Sequence, residues 1–414
     1  MNLRKFDLRK FKDDDLIDLN NRLDLALNLS ELKQIKEYYI KENREATDVE
    51  LYTFSQVWSE HCFHKTFKTK IKFNGEVING LLQTYIFRAT KELSKSWCIN
   101  VFEDNAGIIE FDDLYAIAVK VETHNHPTAL DPFSGAHTGV GGVLRDILGV
   151  GAKPIACVDY LFFAPPNLEL KELPSNVFHP KILMKRVVAG IADYGNKIGV
   201  PIVNGSIHFD KGYLRNPLVF VGSIGILPRN KYIKNPKPGD KIVIVGGKTG
   251  RDGIKGASFA SVMLTKDSEE KYYSAVQLGN PIEEKKIIDA IIRCRDYENG
   301  PLYSLVTDIG GGGLATAVSE SFKNLGCLIN LEKIPLKYQN MDAWEIWISE
   351  SQERMLLAVP EKNLKKFEEI LEEEDCEFSI IGEVLNNKRM IVKYREEVVA
   401  NLSLDFLFKG IPLE

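Results

Sequence analysis

The sequence predicts a mixed α+β or α/β protein: an N-terminal helical region followed by two successive units built from strands and helices. Three observations carry this. From about residue 68 to 230, β-like runs (KIKF, YAIAVKVE, PIACVDYLFF, LVFVGSIGIL) alternate with helical ones (GVLRDILG, ILMKRVVAGIADYGNKIG). Asn235-Pro-Lys-Pro-Gly-Asp240 is a Pro/Gly break, and KIVIV then restarts with a strand. The length, 414 residues, exceeds one ordinary core. The expected units are residues 1–68, 69–234 and 235–414.

Residues 1–28 are polar and weakly patterned, and no element is assigned there. Leu32, Ile35 and Tyr39 share one face of a helix expected from about Ser30 to Glu42. Thr47-Asp-Val-Glu50 matches a capping box, with Leu51, Phe54 and Trp58 as the apolar stripe behind it. That second helix is expected to end at Ser59-Glu60-His61-Cys62. In YAIAVKVETH, Ile117, Val119 and Val121 point one way, and Lys120, Glu122 and His124 the other. Gly139-Val-Gly141-Gly142 reads as a turn opening a helix over Val143–Leu148. After the break come strand KIVIV, helix PIEEKKIIDAIIRCRD, strand YSLVTD, helix GLATAVSESFKNLG, then a further strand and helix. Internal repeats and low-complexity segments are absent from the sequence.

Composition excludes several classes. Hydrophobic residues are 44% and charged residues 27%, as in globular proteins. The formal net charge is −5, from 53 basic and 58 acidic residues, which gives no footprint for nucleic acid. No apolar run approaches the ~18 residues of a membrane span, and MNLRKFDLRKFKDDD lacks the apolar centre of a signal peptide. The six cysteines are scattered without a CxxC pair, as expected of reduced thiols in the cytoplasm.

The chemistry concentrates between Lys120 and Asp146, where a cation, acids, histidines, an arginine and glycines crowd together. Five of the seven histidines (His61, His64, His124, His126, His137) lie between positions 61 and 137. Taken singly, His64, His137, His179 and His208 read as ordinary polar or core residues; His61 and His124 read as functional. A zinc site is disfavoured, because the spacing matches no closed site and Lys and Arg neighbours repel a cation. Phosphate and magnesium chemistry fits better. Glu122, Asp146 and Asp308 are hard oxygen ligands of the kind Mg²⁺ shares with phosphates. The glycine turn would offer N–H groups to an anion, with Arg145 on the first helical turn suited to bidentate phosphate binding.

Two familiar nucleotide signals fail. Gly246-Gly-Lys248-Thr249 resembles the end of a P-loop, but Ile242 stands where the pattern needs glycine. Gly139-x-Gly141 lacks the third glycine of a dinucleotide fingerprint, since Leu144 stands there. Three later segments repeat a strand-end, polar-cluster, helix logic: Arg251–Gly256, Thr307–Gly313 with four consecutive glycines, and Ser349–Arg354.

Together, WSEHCFHKTFK (58–68), KVETHNHPTALDPFSGAHTGVGGVLRDILGVGAKPIA (120–156), GGKTGRDGIKGASFAS (246–261), QLGNPIEEKK (277–286), TDIGGGGL (307–314) and ISESQERMLL (348–357) resemble phosphoribosylformylglycinamidine synthase, the amidine-forming ligase of purine synthesis. The resemblance covers roughly residues 15–414. It implies the aminoimidazole-ribonucleotide-synthetase-like fold: an N-terminal helical region, an A domain carrying strands of a shared barrel, and an α/β B domain. It implies that ATP phosphorylates the amide oxygen of formylglycinamide ribonucleotide and that ammonia then displaces phosphate. Carried over by motif, His61 is the active-site histidine and His124 the proton acceptor. His64 stands where many members have an ATP-contacting Tyr, and Lys120 contacts ATP phosphate. Glu122, Asp146 and Asp308 are magnesium positions. Thr123, Asn125, His126, Arg145, Gln277, Glu350, Ser351 and Gln352 contact the substrate.

The family's synthase unit is a tandem of two A–B halves, and this chain resembles one. It is therefore expected to be a fragment, a split-gene product, or a unit that pairs with a second half or as a homodimer. No cysteine context is a G-x-C-x-G nucleophile elbow, so ammonia is expected from a glutaminase subunit, with a small bridging subunit as further partner. The alternatives are a catalytically silent scaffold half and a metal-dependent hydrolase using the histidine cluster.

Overall fold

The computed structural model describes residues 3–175, 177–256, 276–277 and 279–413. Parts of GGKTGRDGIKGASFAS and QLGNPIEEKK, residues 257–261 and 278, lie outside the described residues.

Three helices open the chain: α1 (Asp13–Leu23), α2 (Leu29–Glu42) and α3 (Asp48–Val57). α1 falls in the stretch to which the sequence assigned no element. Leu32, Ile35 and Tyr39 of α2 are buried as their spacing predicts. The capping box forms: the Glu50 N–H donates to Thr47 Oγ1 (3.1 Å), and the Thr47 N–H donates to Glu50 Oε2 (3.0 Å). α3 stops earlier than its pattern suggested. The Trp58 indole donates to the Leu407 carbonyl (2.7 Å), and Ser59 caps a separate turn, Glu60–Phe63, which carries His61.

The first large sheet has six strands, β1 (Cys98–Asn100), β2 (Gly107–Glu110), β3 (Tyr115–Thr123), β4 (Lys153–Phe163), β5 (Ile202–Phe209) and β6 (Leu218–Pro228), in the order β1-β2-β3-β6-β4-β5. All pairs are antiparallel except β4 with β5. Two long helices, α4 (Pro132–Gly149) and α5 (Pro180–Ile198), pack on one face. β3 alternates as expected, but with the opposite consequence for burial. Ala116 and Ala118 lie buried under α4, and Lys120 and Glu122 continue that row. The apolar side is the uncovered one: Ile109, Val119, Val121 and Tyr160 are between 37% and 48% exposed.

The glycine turn expected before Val143 does not exist. Gly139, Gly141 and Gly142 lie inside α4, which begins at Pro132 with Asp131 as its N-cap. Proline at the first position and the Asp131 cap are a stronger helix start than the glycines are a break.

The second sheet has seven strands: β7 (Lys241–Gly246), β8 (Leu305–Asp308), β9 (Cys327–Asn330), β10 (Arg354–Val359), β11 (Phe378–Val384), β12 (Arg389–Tyr394) and β13 (Glu397–Ser403). Their order is β8-β10-β7-β11-β9-β12-β13, and only β9 and β12 pair parallel. Both faces are buried. Val243, Val245, Met355 and Leu357 meet α4, α5, α6 (Pro281–Arg295) and α8 (Leu364–Glu373). Ile242, Ile244, Leu356 and Ala358 meet the N-terminal helices and α7 (Gly313–Ser321). One core thus joins the first sheet's helices to the second sheet.

Glu50 pins the helical region to this sheet. Its fully buried carboxylate accepts from Arg44 (2.8 and 2.9 Å), Tyr39 (2.9 Å) and the Asn401 N–H of β13 (2.8 Å). Glu50→Ala removes the acceptor and leaves the half-buried Arg44 with only the longer Glu42 ion pair (3.7 Å); urea unfolding should show a loss of about 3–5 kcal/mol.

Candidate active site

β3, the short helix Asn125–Leu130, α4 and the 350–352 segment surround a cavity of about 270 Å³. Of the residues singled out from sequence, His61, Glu122, Thr123, His124, Asn125 and His126 line it. So do Arg145, Asp146, Gln277, Asp308, Glu350 and Gln352. His64, Lys120 and Ser351 do not. His64 is exposed, in a left-handed conformation (φ 57°) at the end of the Glu60–Phe63 turn. Lys120 lies behind the acids, and Ser351 is buried.

Lys120 Nζ is 3.2 Å from Asp146 Oδ2 and 3.5 Å from Glu122 Oε1. Burial pushes the ammonium toward deprotonation, but Asp146, then Glu122, then Asp308 outweigh it and hold its pKa above the ordinary value. Burial, with Glu122 and Asp308 nearby, pushes Asp146 well above the carboxylate range. Burial also raises Asp308. Glu122 stays below its usual value, because Lys120 outweighs the effect of burial. Among the described residues, no three His, Cys, Asp or Glu side chains converge to hold a metal ion by themselves. The set nonetheless fits Mg²⁺ in charge and donor type: three hard carboxylates face one ammonium, and their mutual repulsion is what a further cation relieves. Mg²⁺ takes few protein ligands and completes its shell with water and phosphate oxygens, so no preformed cage is required.

His124 is oriented from the same side. Its Nδ1 lies 2.6 Å from the Gly135 carbonyl, which can only accept, so Nδ1 carries the proton and Nε2 the lone pair. Burial lowers its pKa, keeping it neutral. Asn125 Oδ1 accepts from the Val219 N–H (3.2 Å), tying the turn after β3 to β6.

Arg145 sits in the C-terminal half of α4, not on a first turn, and is buried. Its guanidinium donates to Glu284 Oε2 (2.7 Å) and to the Gln352 side-chain oxygen, and lies 3.5 Å from Glu353. Tyr194 of α5 donates its hydroxyl toward Glu284 (2.6 Å) and Glu353 (3.0 Å). Burial drives Arg145 toward losing its proton, but Glu284 and Glu353 reverse this and raise its pKa. Gln352 in turn donates to the Glu350 carbonyl (2.7 Å), while the Glu350 carboxylate accepts from Gln277 (2.7 Å) and the Gly312 N–H (2.7 Å). The GGKTG segment takes part in this scaffold. The Gly250 N–H donates to Ser351 Oγ (2.8 Å), and Thr249 accepts from Arg354 (2.7 Å), a buried arginine whose pKa burial lowers to about 10. Sequence reasoning gave no role to Tyr194 and Glu284, nor to Glu353 and Arg354, which lay inside the Ser349–Arg354 cluster. Glu284 lay inside the quoted QLGNPIEEKK string; Tyr194 carried no local signal.

The glycines of α4 serve close approach. A Cβ on Gly141 would lie 2.5 Å from the Tyr194 hydroxyl, whereas one on Gly142 would come no nearer than 3.9 Å to Glu122. Gly141→Ala should therefore cost about 1–3 kcal/mol. Gly142→Ala, mid-helix with space, should be neutral or stabilising by up to about 1 kcal/mol. Paired thermal melts of the two variants check this.

Family models match three segments: the formylglycinamide ribonucleotide amidotransferase linker domain over residues 16–65, and the AIR synthase related protein N-terminal and C-terminal domains over 103–227 and 237–395. The phosphoribosylformylglycinamidine synthase subunit PurL of Thermoplasma volcanium is 41% identical over 98% of this chain and 51% of its own length. Thermotoga maritima PurL complexed with FGAR superposes with a TM-score of 0.73 at 36% identity, covering 91% of this chain and 56% of that one. The same protein complexed with ATP gives 0.70 at 32%, covering 91% and 55%. The Thermotoga maritima PurLQS structure gives 0.68 at 31%, covering 91% and 54%. The chain thus spans about half the length of the relatives it matches. From the linker domain, the paired AIR synthase related domains and this identity along nearly all of its residues, the chain belongs to the family of PurL-type phosphoribosylformylglycinamidine synthase subunits.

Proposed function

We propose that this chain is half of an ATP-dependent, amidine-forming C–N ligase that converts formylglycinamide ribonucleotide to formylglycinamidine ribonucleotide in purine biosynthesis. The observation that carries the reading is one cavity lined by three carboxylates, backed by Lys120 and faced by a neutral His124 with its Nε2 lone pair available. The FGAR and ATP complexes of Thermotoga maritima PurL support it. We take residues 1–68, 69–234 and 235–414 as its units.

An amide is a poor electrophile. Its oxygen attacks the γ-phosphorus of ATP, ADP leaves, and the amide oxygen becomes a phosphate leaving group. Ammonia then adds to the same carbon, phosphate departs, and the nitrogen loses a proton. Lys120 contacts the ATP phosphates and counters their charge. Glu122, Asp146 and Asp308 would hold Mg²⁺, which would supply charge neutralisation at the phosphoryl group. His124 Nε2 accepts the proton from ammonia, with His61 as the second active-site histidine. His64 contacts ATP in place of the family's Tyr. Thr123, Asn125, His126, Gln277, Glu350 and Gln352 bind the ribonucleotide, and Arg145 and Ser351 serve by holding Gln352 and the Glu350 segment in place.

The ammonia comes from a glutaminase partner with a small bridging subunit; the subunit composition named for the PurLQS structure supports this. A second synthetase half, or a second copy, covers the apolar outer face of the first sheet. The setting we propose is the cytoplasm. Among the described residues no helix is long and apolar enough to cross a membrane, and the six cysteines are free.

The test is amidine formation with the ribonucleotide, ATP, Mg²⁺ and ammonium chloride, for the chain alone and mixed with a second half. Activity only in the mixture is expected, and a folded but inactive complex would replace this reading with that of a silent scaffold. His124→Ala should lower turnover by about 10²–10⁴-fold with a cooperative melt retained. Charging the outer sheet face with Val119→Glu and Tyr160→Glu should leave the chain folded and abolish its co-elution with the second half on gel filtration.

A further inference from the structure

We propose that Asn105 is a positioning residue that aims the Asp308 carboxylate at the cation site. The inference rests on the reading of Glu122, Asp146 and Asp308 as a magnesium–nucleotide site, and it adds a residue that neither sequence motif nor cavity lining singles out.

Of the three carboxylates, two come from the first sheet and α4, and only Asp308 comes from the second sheet, as the last residue of β8. Its placement therefore depends on something that holds the two sheets in register. Asn105, in the loop between β1 and β2, spans the gap. Its side-chain amide donates to Asp308 Oδ1 (2.9 Å) and to Thr307 Oγ1 (3.0 Å). The carboxylate can only accept, which settles the orientation of the amide. The neighbouring Asp104 anchors the loop: it accepts from the Asn105 N–H (2.8 Å), Tyr232 (2.9 Å) and Lys234 (3.0 Å). Lys234 also donates to the Val306 carbonyl (2.6 Å). The loop is thus fastened to three successive residues of β8.

The chemistry of the donor matters. A lysine or arginine here would neutralise Asp308 and compete with a cation. An amide fixes one carboxylate oxygen while leaving the full negative charge, and hydrogen bonds that orient a ligating carboxylate strengthen metal binding in this way. α4 leaves room for it: a Cβ on Gly149 would lie 2.3 Å from Asn105 Nδ2. A glycine at the end of α4 is what lets the amide reach the carboxylate.

The test uses the complete synthetase assembly, with Mn²⁺ titrated in the presence of the non-hydrolysable analogue AMPPCP and free Mn²⁺ read by electron paramagnetic resonance. Asn105→Ala should weaken Mn²⁺ binding by about tenfold or more, with a cooperative melt retained. Gly149→Ala, which crowds the amide and leaves Asn105 itself intact, should weaken it in the same direction. Asp308→Asn should weaken it at least as much, and the double variant with Asn105→Ala should bind no worse than Asp308→Asn alone. Unchanged Mn²⁺ affinity in both Asn105→Ala and Gly149→Ala, with Asp308→Asn impaired, would overturn the positioning role. So would additive losses in the double variant, which would mean that Asn105 acts elsewhere. Unchanged binding in Asp308→Asn would instead remove the magnesium reading of the site, and this inference with it.

Discussion

The buried ion network around Arg145 is the constraint on which the rest of the site depends. One guanidinium from α4 faces Glu284 of α6 and Glu353 at the start of β10, with the Tyr194 hydroxyl of α5 closing the ring. An uncompensated charge at this depth costs several kcal/mol, so the four elements are held to one mutual arrangement. The Gln352 side chain hangs from the same guanidinium, and the 350–352 segment follows Gln352. The arrangement that joins the two sheets is therefore also what brings Glu350 and Gln352 against Glu122 and His124.

α4 makes this close packing possible by being poor in side chains. Its glycines face Tyr194 at 141, Glu122 at 142 and Asn105 at 149. Glycine costs a helix interior about 1 kcal/mol each relative to alanine. The Asp131 cap, Pro132 and the buried Val140, Val143, Leu144, Ile147 and Leu148 offset that cost. Lys120, mostly buried, and the half-exposed Glu122 of β3 can then lie close beside the helix.

The first sheet is finished on one side only. Its helix-covered face ends in the polar row of Lys120 and Glu122, while Ile109, Val119, Val121 and Tyr160 stay open on the other. A contiguous apolar sheet face of this kind marks an interaction surface. It includes β3, the strand that carries Glu122, so a partner seated there would sit within one sheet thickness of the cavity.

Local features were legible in the sequence by itself. The helix spacing of Leu32, Ile35 and Tyr39, the Thr47–Glu50 capping box, the Pro/Gly break at 235–240 and the alternation along β3 each involve neighbours within a few residues. Twelve of the fifteen residues singled out for the site line one cavity, because family-specific strings carry residue types that only chemistry requires. What the sequence could not decide involves distant partners. The glycines of α4 read locally as a turn, and only burial against Tyr194 and β3 makes them helical. Arg145 read as a phosphate ligand on a first turn, and only the arrival of Glu284, 139 residues later in the chain, commits its charge to the scaffold. Asn105 meets Asp308 across 203 residues, and Val119 became the exposed side of β3 because α4 chose the other face. Period and motif report what a segment can become; which face is buried, and which charge is already paired, depends on groups that only the folded chain brings together.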